Sequence, residues 1–226
     1  MPHQNRHNFS LNVNLSGRLE KNRTMFLDAF GNPKEVTPDN LNEYSYDLHE
    51  TMLLTSADHE VYIPPKWHGT IYSTEELLQN YRKRYNPDCT LLTFHALQPY
   101  EPEFICCENV VVELTALPAG QSLFSEMEIV VFLVKLTASG SNTLITKELG
   151  SDLNFFPHNH HYHVRILEEG IDVVYVDDKI YSGGSPTNYQ HQRLFSMLSN
   201  IQPGHVKSLS GGPLPEVLRM ACRKPN

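Results

Sequence analysis

The chain has 226 residues, 40% of them hydrophobic and 19% charged, which is enough apolar material for a sizeable core and too much for a disordered chain. Its formal net charge of −8 speaks against nucleic acid, because neutralising phosphates needs clustered Lys and Arg. The opening Met1-Pro2-His3-Gln4-Asn5-Arg6 carries no charged-then-apolar leader, and no apolar run is long enough to span a bilayer, so a cytoplasmic protein without a signal peptide or membrane contact is expected.

Strand signals dominate the chain from its start. Phe9–Leu15 alternates apolar and polar residues with period two, as a half-buried strand does, and Thr24–Leu27 follows a polar turn. Ser73 with Glu76 three residues on reads as a capping box. It opens a helix near residues 73–85 whose apolar stripe is Leu77, Leu78, Tyr81 and Tyr85. Arg82, Lys83 and Arg84 suit its C-terminal end, and Asn86-Pro87 stops it. Further strands are expected at Thr90–Ala96, Val110–Leu117, Glu128–Leu136 and Thr143–Glu148. Tyr162–Leu167 and Val173–Val176 flank Glu168-Glu169-Gly170, a hairpin signal. Pro64-Pro65 and the Pro99–Pro102 stretch read as surface connections. Cys89, Cys106, Cys107 and Cys222 form no Cys-x-x-Cys pair, which fits reduced thiols better than a disulfide framework.

The order of these elements resembles the galectins. Residues 150–193 carry most of the likeness: Leu149-Gly150-Ser151-Asp152, then Phe155-Phe156-Pro157, Tyr162–Ile166, Val174–Lys179 and Tyr189–Leu194. Leu15–Arg23 is similar to the family's opening strands, and Leu198–Leu209 corresponds to a final strand returning beside the first. The resemblance implies a mainly β, galectin-like antiparallel β-sandwich, a jelly roll, filling residues 1–226 as a single domain. Residues 31–121 would hold an insertion or elaboration containing the helix. Galectins bind galactose through a His-x-Asn-x-Arg strand and a Trp-Gly-x-Glu segment. Here the Trp position is Leu149 and the Glu position Asp152. The strand is replaced either by Tyr62-Ile63-Pro64-Pro65-Lys66-Trp67 or by Val131–Lys135, neither of which keeps the His, Asn and Arg. Tyr62, Lys66, Trp67 and Lys135 are the ligand-binding candidates that remain, and losing several hydroxyl partners at about 1–3 kcal/mol each removes a weak sugar affinity.

His158-Asn159-His160-His161-Tyr162-His163 is the most conspicuous polar cluster. His161, His163 and Glu168 would be the ligands if it held a metal in the manner of a cupin enzyme. The competing reading is a wet loop entering a strand. No Gly-x-Ser-x-Gly elbow, phosphate loop or His-Glu-x-x-His helix occurs. A non-catalytic binding module without cofactor is therefore expected, with a protein or peptide as partner and Tyr81 and Tyr85 as contact residues. Those tyrosines would otherwise mark a homodimer patch. A carbohydrate-binding lectin and a cupin-like metalloenzyme are the alternatives.

Overall fold

A computed structural model describes residues 13–14, 25–27, 51–57, 69–85, 92–107, 110–122, 126–137, 140–145, 171–176 and 206–208. Within them the protein is mainly β, with two sheets and one helix. The first sheet is formed by β1 (Val13–Asn14), β2 (Met25–Leu27), β3 (Thr51–Leu53), β4 (Thr70–Thr74) and β5 (Thr93–Leu97), in that order. The second contains β6 (Glu103–Cys107), β7 (Val110–Gln121), β8 (Glu128–Leu136), β9 (Asn142–Ile145), β10 (Val173–Val176) and β11 (Val206–Ser208), again in consecutive order. Between β4 and β5 runs α1 (Glu75–Tyr85).

The expected antiparallel pairing holds only for β6 to β9. Every pair in the first sheet is parallel, and so are β9–β10 and β10–β11. The cause is connection length. Short turns between β6, β7, β8 and β9 reverse the chain, whereas parallel neighbours need a crossover of roughly a dozen residues or more. Residues 75–92, with α1 inside them, supply one such crossover. Two further expectations are corrected by the same pairing. Both edges of β10 are taken, by β9 and β11, which leaves none for a hairpin with Tyr162–Leu167, itself outside the described residues. The closing strand, β11, lies beside β10 and not beside β1.

The helix starts one residue later than the Ser73–Glu76 box implies. Thr74 is the cap, its Oγ1 accepting from the Leu77 amide at 3.4 Å. Ser73 turns inward, where its hydroxyl donates to the Leu54 carbonyl at 2.7 Å in a buried bond. Glu75 and Glu76 occupy the first turn and Arg82, Lys83 and Arg84 the last, as the helix dipole favours. Arg84 Nη1 also donates to the Ala57 carbonyl at 3.2 Å, tying the helix end to the segment after β3.

Alternation along the strands sorts the layers. Phe94 pairs in register with Ile71, and the Arg82 guanidinium carbon sits 4.2 Å from the Phe94 ring centroid, so this face meets α1. Tyr72 and His95 point the other way, with their ring centroids 5.0 Å apart. His95 Nε2 then reaches Glu103 Oε1 of the second sheet at 2.7 Å. The parallel sheet is thus the middle layer between α1 and the mixed sheet. One buried cluster joins all three, including Met52, Ile71, Leu77, Leu78, Tyr81, Val112, Phe132 and Val134. Residues from within 31–121 therefore build the core itself.

Around β8 the mixed sheet is covered on both faces. Val130, Phe132, Val134 and Leu136 belong to the central cluster, while Val131 and Leu133 on the opposite face of β8 are buried outside it. Their register partners Leu117, Thr115 and Leu144 are buried as well. An unbroken run such as Ile129–Val134 is what a strand with two covered faces requires.

Candidate functional site

Most apolar side chains of the described residues are hidden, and two large ones are not: Phe104 is 66% exposed and Val111 46%. They lie on the same face of the mixed sheet, at its open end. Phe104 is in register with Glu113, and Cys106, also exposed, with Val111. β6 ends the sheet, and among the described residues no strand pairs with its outer edge. Pro102 immediately precedes it, a residue that strands tolerate at their start and at sheet edges. An edge of this kind presents unpaired N–H and C=O groups beside a small apolar patch.

Charge is distributed unevenly along the sequence that carries this edge. From residue 86 to residue 134 the sequence contains seven carboxylates, Asp88, Glu101, Glu103, Glu108, Glu113, Glu126 and Glu128, and neither Lys nor Arg. Glu101 is exposed just before β6, and Glu103 keeps 41% of its side chain exposed while paired with His95. Moving inward from Phe104 along one row of the sheet, Glu113 stands opposite Lys135, and Lys135 opposite Asn142. Opposite charges facing each other across strands stabilise the pairing and set its register. The Asn142 backbone is fixed in turn, its main-chain N–H donating to Asp172 Oδ2 at 2.8 Å.

A second polar feature lies between the sheets. Glu128 opens β8 on the face shared by Val130 and Phe132, so its carboxyl enters the core side near the start of α1. Its Oε2 is buried and has no hydrogen-bond partner among the described residues. Burial, and secondarily the negative charge of Glu76, pushes this carboxyl up from 4.5 to about 7.

The residues singled out from the sequence fall differently. Lys135 is half-buried, two strands in from Phe104 on the same row. Tyr81 is 1% exposed and packed with Leu77 and Leu78, so the contact role expected for it is corrected: its ring faces the core. The Tyr85 side chain lies outside the described residues, as do Tyr62, Lys66, Trp67, His161, His163 and Glu168. Among the described residues no three His, Cys, Asp or Glu side chains converge as a metal site, and no helix is long and apolar enough to cross a membrane. Phe104 was not anticipated, because Glu-Phe-Ile-Cys-Cys shows no polar alternation. The lysine- and arginine-free stretch around it, and the proline before it, were the available signals.

No protein-family model matches the sequence, and no curated protein matches it. Among solved structures the fold is similar to that of unliganded yeast PDE1, with 10% sequence identity and a TM-score of 0.46. The match covers 75% of this chain and 62% of that one, so it spans about three-fifths of the structure it resembles.

Proposed function

We propose that the protein is a non-catalytic binding module whose partner, a protein or peptide segment, is taken at the β6 edge. The observation carrying this reading is Phe104, an aromatic side chain 66% exposed on a strand with no described neighbour on one side. Solvent-exposed aromatics at rim-to-core positions dominate interface energetics when covered, and an open edge offers a ready backbone ladder. The galectin-like resemblance enters as a two-sheet binding scaffold. Because β1 to β5 pair in parallel, the proposal does not carry over the family's sugar subsite.

The test separates binding from folding. Phe104→Asp removes the apolar anchor at an exposed position, and the like charge it sets opposite Glu113 costs only about 0.2–1 kcal/mol. The melting temperature should stay nearly constant while a partner cross-linked to wild-type protein in cell extract is lost. An unchanged cross-linked partner with Phe104→Asp would remove β6 from consideration.

A further inference from the structure

The reading of β6 as a docking edge can be taken one step further, to the chemistry of what docks, and this step rests on that reading. We infer that β6 accepts an extended basic segment of another protein as an added strand, with alternate apolar side chains on Phe104, Cys106 and Val111 and Lys or Arg beside Glu101 and Glu103.

Three features converge on this partner. The first is geometric. Among the described residues β6 is a sheet terminus, and strand addition would satisfy its outer N–H and C=O groups without distorting the sheet. The second is the spacing of the exposed apolar groups. Phe104 and Cys106 are two residues apart on one face, and Val111 is the register neighbour of Cys106. An extended chain presents side chains to one face at every second residue, so alternate apolar residues of an added strand would cover this patch. A helix would instead meet it with a 3.6-residue period and leave the backbone edge unpaired.

The third feature is charge. Residues 86–134 contain seven carboxylates and no Lys or Arg; of these, Glu128 has its Oε2 buried between the sheets and Glu113 stands opposite Lys135. Glu103 is the first residue of β6, and the exposed Glu101 lies two residues before it. A cationic segment is steered to such an edge, whereas an acidic one is repelled. The same argument disfavours a second copy of this chain. Two copies meeting edge to edge would each carry a formal charge of −8, so their approach is opposed by like charge.

The experiment uses the full chain and three synthetic probes, read by fluorescence anisotropy. One peptide alternates lysine with valine and phenylalanine. The second has glutamate for every lysine. The third is the lysine peptide with consecutive backbone amides methylated, which blocks ladder formation on both edges. The lysine peptide should bind about tenfold or more tightly than the glutamate peptide, and weaken as salt is raised. Binding should be lost with Phe104→Ala and with the methylated probe, and the preference for lysine should shrink with Glu101→Lys.

Other outcomes count against it in distinguishable ways. If lysine and glutamate peptides bind alike and both are lost with Phe104→Ala, the basic partner is wrong while β6 remains the docking edge. If the lysine peptide binds but ignores both Phe104→Ala and backbone methylation, the attraction is diffuse charge and strand addition is wrong. If no peptide binds, the inference fails, and the β6 reading then stands or falls on the Phe104→Asp cross-linking result.

Discussion

Glu128 is the residue whose chemistry departs furthest from its sequence context. Glu128–Leu136 reads as a strand, but nothing in that reading says that its first carboxyl turns toward the core. Only the pairing of β8 with β7 and the packing of Val130 and Phe132 put it there. The folded protein holds the Glu128 proton up to about pH 7, while the unfolded chain releases it near 4.5. Between those values the native state binds more protons, so stability falls as pH rises and the full penalty is present above pH 7. Glu128→Gln should therefore match wild type below about pH 4.5 and exceed it above pH 7. The gain is on the order of 1–2 kcal/mol once solvent screening of this half-buried group is allowed for. Chemical denaturation at pH 4 and pH 8 measures it, and an equal effect at both values would mean that the carboxyl is solvated.

At the scale of elements, strong local patterns were legible and weak ones were not. The bounds of β8 are those its hydrophobic run implies, and β7 extends the expected Val110–Leu117 through to Gln121. β3 and β4 were missed. Thr51–Leu53 is too short to show a period, and Thr70–Thr74 abuts the helix so closely that its residues read only as a cap. That is also why the cap was displaced by one residue. Ser73 and Thr74 are both good cap residues, and the choice was made by the buried Leu54 carbonyl, which takes the Ser73 hydroxyl. Thr74→Ala should cost about 1 kcal/mol through the lost cap. Ser73→Ala should cost about 1–3 kcal/mol, because it strands a buried acceptor. Glu76→Gln should be neutral or slightly stabilising, since it relieves Glu128. Were Ser73 and Glu76 a capping box, Glu76→Gln would destabilise and Thr74→Ala would not, which thermal melts of the three variants distinguish.

For the whole molecule, the β-rich character and the described helix were readable, but the direction of pairing was not. Parallel and antiparallel strands have nearly the same local composition, and direction depends on how the connections return the chain. The unbroken run Ile129–Val134 did carry a hint, since a sandwich strand with one wet face should alternate. The inward turn of Tyr81 has a related reason. Leu77, Leu78 and Tyr81 form a stripe that reads most simply as the face docking the helix and as a partner face only if exposed, and the cluster shared with both sheets assigns it to the core. The β6 patch was illegible because exposure is a property of the sheet order, which places β6 last.

One arrangement reaches beyond binding. Every described strand of the parallel sheet precedes Gln98, and every described strand of the mixed sheet follows Pro102. The stretch between them is a tight turn, with Glu101 donating its amide to the Gln98 carbonyl at 3.2 Å and Tyr100 at φ 66°. Pro99, Glu101 and Pro102 are exposed. The two hydrogen-bonded ladders are thus written in separate halves of the chain, and a cut between Glu101 and Pro102 would sever no strand. Each half alone would expose the apolar face that the other covers. Expressed together, residues 1–101 and 102–226 should find each other, copurify and melt as one unit, whereas either fragment alone should aggregate. Halves that stay apart when coexpressed would mean that the sheets depend on covalent continuity. If they do assemble, the protein is already a split reporter, divisible at an exposed turn without redesign.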